Sequence, residues 1–306
     1  MFTQHEANGA RNGTWLVLLA ALCWGTAGTA QAFAPDGATP LAVGAVRLAV
    51  GGAALLLWAV LRRAFQRGSV WPVGATLLAA LCMAVYQLCF FAAVDRTGVA
   101  AGTVVAVGSG PVIAGLLGWL LYRETPGWAW AMATLLAVIG CTLLGLSGGT
   151  VTIDPVGILL AIGAGASYAV YVTASKKLVV AQRPEAAMGV VFTLGALFLA
   201  PLFFVEDFTW LRQPSGLMVA LHLGIVTTAV AYVLLAKALT TTPAATAVTL
   251  TLAEPLIATM LGVLVLGERL NSMAMMGIAL LLVALLVLSL SVRRADRAIL
   301  ALERAT

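Results

Sequence analysis

Charged side chains are scarce in this chain. Asp, Glu, Lys and Arg make up 9% of its 306 residues, and apolar residues make up 62%. A soluble protein usually carries about a quarter charged residues, because its surface must face water. So few charges exclude a soluble domain. The composition therefore predicts a membrane protein that crosses the bilayer several times.

Residues for metal binding or enzyme chemistry are also few. The chain has two histidines, His5 and His222, and its four cysteines form no CxxC pair. It contains no HExxH, no GxSxG and no phosphate-binding loop. These absences argue against a membrane-embedded enzyme and an ATP-driven motor, and no metal or cofactor is predicted. The net charge of +5 arises from basic residues in short loops, so no nucleic-acid partner is predicted.

Apolar runs long enough to cross a bilayer recur along the chain. A spanning helix needs about 20 mostly apolar residues, and the runs lack the strict alternation of strands. The predicted spans are 14–34, 40–61, 72–94, 99–121, 127–146, 155–178, 185–205, 216–238, 244–266 and 271–292. The predicted fold class is thus an all-α membrane protein with ten transmembrane helices. The polar residues 1–13 are expected to be a disordered tail, and 293–306 form a second tail.

One stretch of the sequence occurs twice. Residues 253–268 read AEPLIATMLGVLVLGE, and residues 109–124 read SGPVIAGLLGWLLYRE. Pro111 and Pro255 lie at matching positions, 144 residues apart. Such a fixed offset indicates a duplicated unit. We therefore expect two five-helix repeats, 14–146 and 147–292. Because five is an odd number, the second repeat would enter the membrane from the opposite side, as in many secondary transporters.

Basic residues in the short loops predict the orientation. Lys and Arg concentrate on the cytoplasmic side of membrane proteins. With ten spans and a cytoplasmic N-terminus, the external loops hold Arg96, Arg212 and Arg269. The cytoplasmic side then holds Arg11, Arg62, Arg63, Arg67, Arg123, Lys176, Lys177, Arg183, Lys237, Arg293, Arg294, Arg297 and Arg304. Both termini are therefore predicted to be cytoplasmic.

Two ionisable side chains, Arg47 and Glu254, lie clearly within predicted spans. Charges inside the membrane are costly, so each is a functional candidate. Arg47 is expected to extend outward to the external interface, although its role stays open. Glu254 lies near mid-membrane beside Pro255, in a turn that the proline loosens. It can bind a substrate amine, carry a proton, or simply brace the helix break. The first repeat has Gly110 at the matching position, as expected if the carboxylate serves a ligand.

Aromatic and polar side chains also lie in the middle of the predicted spans. An aromatic ring with a polar tip needs a partner or water there, although core packing explains any single one equally well. Taken as a group, they suggest the lining of a cavity for amphipathic or aromatic molecules. The candidate substrate-binding residues are Trp24, Thr26, Tyr86, Gln87, Ser109, Tyr168, Tyr171, Tyr232 and Glu254. Pro111 and Pro255 are expected to mark the points where helices bend.

Several short motifs together are typical of a known family: Trp24-Gly25-Thr26, Pro40 and Arg47, and the stretch AEPLIATMLGVLVLGERL. With these motifs the sequence resembles the EamA-type transporters of the drug/metabolite transporter superfamily, and within them the YddG-type exporters of aromatic amino acids. It covers about residues 14–292. It implies an inner-membrane exporter whose cavity is lined by helices 1, 3, 4, 6, 8 and 9. Helices 5 and 10 would support the bundle from outside.

These observations predict a secondary transporter that exports small organic metabolites by alternating access. The expected cargo is amino acids, with a tilt towards aromatic ones. The expected partners are this small solute and the lipid bilayer, with the proton as a further candidate, and the protein is expected to be a monomer or homodimer. The alternative is a multidrug exporter of lipophilic cations, which would need several acids in the cavity, whereas the spans show one.

Overall fold

The computed structural model describes residues 3–66, 69–123, 127–147, 154–267 and 270–305. These residues form helices joined by short turns, with no β-strand among them, so the all-α class is confirmed. The helices are α1 (Thr3–Gln31), α2 (Pro40–Leu61), α3 (Val73–Tyr122), α4 (Trp128–Ser147), α5 (Pro155–Ala181), α6 (Pro184–Phe198), α7 (Pro214–Leu221), α8 (Ala231–Leu239), α9 (Ala244–Leu250), α10 (Ala253–Leu266) and α11 (Ser272–Ala305). A π-helix, His222–Val230, joins α7 to α8. The last residues of the two repeated stretches, Glu124 and Glu268, lie outside the described ranges.

Eight segments among the described residues are long and apolar enough to cross a membrane. They coincide with eight of the ten predicted spans. Two shorter apolar helices, Pro184–Phe198 and Ser272–Leu288, occupy the positions of the seventh and tenth predicted spans. The chain is thus a multi-pass helical membrane protein.

Helical backbone extends beyond the predicted spans at both ends of the chain. The helix α1 begins at Thr3, and α11 continues to Ala305. The expectation that residues 1–13 are disordered is therefore wrong from Thr3 onward. The physical reason is that adding a residue to an existing helix avoids the cost of nucleating a new one.

The long helix α3 contains a reversal of the chain. A Cβ atom added to Gly102 would lie 3.1 Å from the Cα atom of Val94. A straight helix would separate two residues that are eight positions apart by about 12 Å. The chain therefore turns back between Val94 and Gly102. Its two halves, Val73–Val94 and Gly102–Leu121, are two separate segments, each long and apolar enough to cross a membrane.

Helices α2 and α6, which begin 144 residues apart, pack against each other in opposite directions. A Cβ atom added to Gly52 would lie 2.9 Å from the carbonyl oxygen of Phe192. A Cβ atom added to Gly189 would lie 3.2 Å from the carbonyl oxygen of Leu55. Residue numbers thus rise along α2 while they fall along α6. Glycine at both positions allows this close backbone approach.

Helices α4 and α11, which also begin 144 residues apart, form a second antiparallel contact. A Cβ atom on Gly140 would lie 2.8 Å from the carbonyl oxygen of Gly277, and one on Gly277 would lie 2.7 Å from that of Gly140. Nearer the loop, Asn271 Nδ2 donates a hydrogen bond to the carbonyl oxygen of Ser147, at 3.0 Å. Because the later residue on α4 meets the earlier residue on α11, the two helices are antiparallel.

The predicted span 244–266 is interrupted in the structure. Helix α9 ends at Leu250, and α10 begins at Ala253. Pro255 has no N–H to donate to the carbonyl of Thr251, and its ring crowds that carbonyl. The interruption therefore lies one turn before the proline, and it places Glu254 in the first turn of α10.

Candidate functional site: a cavity shared by the two halves of the chain

A cavity of about 70 Å³ lies between helices from both halves of the chain. It is lined by Trp24, Ala27, Arg47, Tyr86, Ala106, Val107, Gly110, Tyr168, Tyr232, Val248, Thr251 and Glu254. Pockets for drug-sized ligands usually measure about 300–1,000 Å³, so this cavity is smaller than such pockets in the conformation described. No described side chain of α4 or α11 is among the lining residues.

Several lining residues occupy equivalent positions in the two halves. Tyr168 follows Trp24 by 144 residues, and Glu254 follows Gly110 by the same number. Val107 and Thr251 form a third such pair. The cavity is therefore built from matching parts of a duplicated unit, but the carboxylate is present in one half only.

Arg47 projects into the cavity from α2. Its Nε–H donates a hydrogen bond to Thr228 Oγ1, at 3.1 Å. Thr228 is fully buried on the π-helix, and its own hydroxyl donates to the carbonyl oxygen of Leu223, at 2.8 Å. The expectation that Arg47 extends to the external interface is therefore wrong. A buried hydroxyl from a distant part of the chain accepts its hydrogen bond and turns the side chain inward.

Glu254 reaches the same cavity from the first turn of α10. Its backbone N–H donates to the carbonyl oxygen of Thr251, at 2.9 Å. Its half-buried carboxylate makes no hydrogen bond with any residue that the structure describes. It also forms no ion pair with Arg47 within 4.0 Å. The cavity thus presents a cation and an anion that do not neutralise each other by direct contact.

Aromatic rings form the rest of the wall. Trp24 and Tyr232 meet edge to face, with ring centroids 5.0 Å apart. Tyr86 and Tyr168 both line the cavity, and their ring centroids are 5.9 Å apart. The indole Nε1 of Trp24 is buried and has no hydrogen-bond partner among the described residues. The wall therefore presents apolar ring surface beside the two charged side chains.

Four other predicted site residues lie away from the lining. Tyr171 is fully buried behind Tyr232, with ring centroids 5.7 Å apart, and its hydroxyl donates to Met188 Sδ. Thr26 lies 2.8 Å from His222 Nε2 and also donates to a carbonyl within α1. These contacts give Tyr171 and Thr26 roles in packing the helices that hold the cavity.

Gln87 and Ser109 also lie outside the lining. Gln87 is 2% exposed, and its Nε2 has no partner among the described residues. Ser109 donates to the carbonyl oxygen of Ala106 in its own helix, at 3.2 Å. A Cβ atom added to Gly165 would collide with the Ser109 hydroxyl, so α3 and α5 are in close contact there. In this conformation Ser109 therefore serves helix packing.

The two predicted bending points differ in structure. Pro255 follows the interruption between α9 and α10, whereas helical backbone continues through Pro111 in α3.

The sequence alone predicted that the Arg47 side chain extends to the external interface rather than into the cavity, although an intramembrane charge is itself a signal of function. No group of His, Cys, Asp or Glu in the described part of the chain is arranged to hold a metal ion.

The helical bundle and its shared cavity are the features of a membrane transporter. Comparison with family models agrees, since residues 11–146 and 155–290 each match the EamA-like transporter family. The chain belongs to this family of the drug/metabolite transporter superfamily, and it contains two copies of the family's unit. It is therefore a transporter rather than an enzyme.

Individual relatives support the same family. The chain is 48% identical over 280 residues to the uncharacterized transporter YwfM of Bacillus subtilis. This match covers 91% of this chain and 94% of that protein. It is 32% identical over 161 residues to the threonine/homoserine exporter RhtA of Salmonella typhimurium, about half of each chain, at 52% and 54%. A solved crystal structure superposes with a TM-score of 0.79 at 22% identity, covering 92% of this chain and 98% of that chain, which supports the fold.

Proposed function

We propose that this protein is a secondary transporter that exports amino acids, with a preference for aromatic ones, by alternating access. The observation that carries the proposal is the placement of Arg47 and Glu254 on one cavity without a direct ion pair. An amino acid carries a carboxylate and an ammonium group. It can therefore pair with both residues at once and neutralise both intramembrane charges.

In this proposal the two charged side chains determine how the solute is oriented in the cavity. Arg47 has N–H groups beyond the one that Thr228 accepts, and a guanidinium binds a carboxylate through two parallel hydrogen bonds. The unpaired carboxylate of Glu254 accepts hydrogen bonds from an ammonium group. The α-carboxylate of the solute would thus point to α2 and its α-ammonium to α10.

The aromatic wall favours a solute with an apolar or aromatic side chain. Trp24, Tyr86, Tyr168 and Tyr232 supply ring surface beside the two charges. Aromatic pairs stabilise binding by about 0.5–1.5 kcal/mol beyond the area they bury. This ring surface fits the aromatic cargo that the narrower resemblance to YddG-type exporters implies. The relative named as a threonine/homoserine exporter makes small hydroxylated amino acids the second candidate cargo.

Alternating access would follow from an inverted repeat. Two pairs of equivalent helices, α2 with α6 and α4 with α11, are antiparallel, as expected if the repeats 14–146 and 147–292 have opposite orientations. Two such halves can rock around a site that they share. We place both termini in the cytoplasm and the protein in the inner membrane, with ten spans.

The rival function is export of lipophilic cations. Glu254 and the aromatic wall would suit such a solute. The guanidinium of Arg47 on the same cavity opposes it, because like charges in a medium of low dielectric repel strongly. Proton coupling through Glu254 remains compatible with amino-acid export, and so does passive exchange, which needs no coupling residue.

Counterflow in proteoliposomes tests the proposed function. Vesicles with purified protein are preloaded with one amino acid at a time, and uptake of labelled phenylalanine is compared with protein-free vesicles. We expect saturable uptake that unlabelled tryptophan and tyrosine inhibit. Robust exchange of threonine or alanine in place of phenylalanine would retain the carrier and overturn the aromatic preference. Absence of exchange with every amino acid, by folded protein in the bilayer, would contradict the proposal.

A further inference from the structure

Thr228 is the residue that fixes the direction of the Arg47 side chain. We propose that Thr228 is a positioning residue for substrate recognition, because its hydroxyl holds the Arg47 guanidinium on the cavity where a substrate carboxylate binds. This inference rests on the proposed function. It adds to that function a residue on the π-helix that determines selectivity without lining the cavity.

The π-helix gives the Thr228 hydroxyl its orientation. In an α-helix a threonine hydroxyl reaches the carbonyl three or four residues earlier. Thr228 instead donates to the carbonyl of Leu223, five residues earlier, at 2.8 Å. Thr227, which lies at the ordinary four-residue spacing from Leu223, donates to the same carbonyl oxygen at a distance of 2.7 Å. The wider π turn therefore places two adjacent hydroxyls on one acceptor, and only that of Thr228 meets Arg47.

This hydrogen-bond chain has a defined polarity. Because the Thr228 proton is donated to Leu223, the oxygen of that hydroxyl is left as an acceptor. Arg47 Nε–H donates to it at 3.1 Å. The Nε position is thus occupied, so the terminal N–H groups of the guanidinium remain to meet a ligand. No other hydrogen bond of the Arg47 side chain occurs among the described residues.

Glycines hold the two helices at the distance this contact needs. A Cβ atom added to Gly51, one turn after Arg47 on α2, would collide with Thr228 Cγ2. A Cβ atom added to Gly224 would collide with Val50 Cγ1. Any larger residue at either position would push the π-helix away from α2. The packing therefore sets the spacing between α2 and the π-helix at the level of the Arg47–Thr228 contact.

The neighbouring threonine supplies a matched control. Thr227 and Thr228 are both fully buried and both bond to Leu223. Replacing either with valine removes one hydroxyl and keeps the side-chain shape. Thr228→Val also removes the acceptor of Arg47, whereas Thr227→Val leaves it. Thr228→Ser keeps the hydroxyl and should restore the wild-type behaviour.

The test measures selectivity as well as affinity. In counterflow of labelled phenylalanine, inhibition constants are determined for phenylalanine and for phenylalaninamide, which keeps the ammonium group and lacks the carboxylate. We expect Thr228→Val to weaken phenylalanine about tenfold, as when a hydrogen bond to a charged group is lost, and to leave phenylalaninamide unchanged. Thr227→Val and Thr228→Ser should resemble wild type for both compounds. Thermal unfolding in detergent verifies that all variants are folded.

Two outcomes would overturn the inference. In the first, Thr228→Val behaves as Thr227→Val does, which shows that the Arg47 contact has no role in recognition. In the second, Thr228→Val weakens both compounds equally, which indicates a general structural defect. If wild-type protein exchanges no amino acid at all, the proposed function itself is wrong, and the inference falls with it.

Discussion

At the scale of single residues, the main feature of the candidate site is two opposite charges, Arg47 and Glu254, that line one cavity without forming an ion pair. Arg47 has one hydrogen bond, to Thr228, and the Glu254 carboxylate has none among the described residues. Desolvated charges are costly unless they are paired. In the proposed function, a zwitterionic solute would remove that cost from both side chains together, and this gain would oppose the entropy lost on binding.

Replacing Glu254 with glutamine tests the acidic half of the site. Glu254→Gln keeps the shape and removes the charge that we propose accepts the substrate ammonium. We expect the apparent affinity for phenylalanine in counterflow to fall about tenfold or more, since a hydrogen bond between charged groups is lost. If Glu254 also carries a proton, net uptake should depend on pH in wild type and become independent of pH in the variant. An affinity equal to that of wild type would refute the ammonium contact, and an unchanged pH profile would exclude the proton role.

The sequence predicted part of the site because the signals are local. Trp24, Tyr86, Tyr168, Tyr232 and Glu254 all line the cavity, whereas Tyr171, another predicted ring in mid-span, packs behind Tyr232. Their roles in binding stay predictions. The direction of Arg47 could not be predicted, because it depends on Thr228, a partner 181 residues away on a π-helix that no sequence pattern indicated.

At the scale of helices, the two repeats differ where they carry matching prolines. The second repeat breaks between α9 and α10 before Pro255, whereas α3 is helical through Pro111. A break in a membrane helix leaves backbone groups available beside a cavity. The glutamate and the break occur together in one half, so we expect α9 and α10 to move during transport.

A paired proline substitution tests this difference. Pro255→Ala restores an N–H that can bond to the Thr251 carbonyl, so α9 and α10 should join into one straighter helix. We expect higher thermal stability and exchange slower by about tenfold if motion at this break limits the rate. Pro111→Ala, the equivalent change in a helix that is already continuous, should alter the rate much less. Equal effects of the two substitutions would show that the break has no special role.

Helix positions were predictable because the apolar runs are long, but their internal geometry was not. The predicted spans coincide with helices throughout, and the turn between 94 and 99 matches the reversal within α3. The π-helix and the early start of α1 were missed. The π-helix depends on which neighbours the helix packs against, and the early start of α1 depends on the cost of starting a helix. Neither feature leaves a periodic pattern in the sequence.

At the scale of the whole molecule, equivalent helices meet across the two halves. The reciprocal contact of Gly140 with Gly277 joins α4 to α11, away from the cavity. Each glycine lies against the backbone of the other helix, so any side chain at either position would separate the pair. Helix packing in membranes relies on such close approach, because no hydrophobic force brings helices together there.

Alanine substitutions test this contact. Gly140→Ala and Gly277→Ala should each destabilise the protein by about 1–3 kcal/mol, the usual cost of overpacking. Because each added Cβ would meet the other glycine's carbonyl oxygen, the two effects should be similar. The control is Gly28→Ala in α1, where a Cβ atom has nothing within 4 Å and should be tolerated. Thermal unfolding in detergent measures all three, and unchanged stability of the first two would contradict the packing described.

The most direct test of the central claim compares solutes that differ by one charge. Counterflow of labelled phenylalanine by wild-type protein is measured in the presence of three unlabelled inhibitors. Phenylalanine carries both charges, phenylalaninamide carries the ammonium group alone, and 3-phenylpropionate carries the carboxylate alone. If Arg47 and Glu254 bind the two ends of a zwitterion, phenylalanine should inhibit most strongly, with each analogue weaker by about tenfold or more. Inhibition by phenylalaninamide as strong as that by phenylalanine would instead identify a carrier of organic cations and contradict the account.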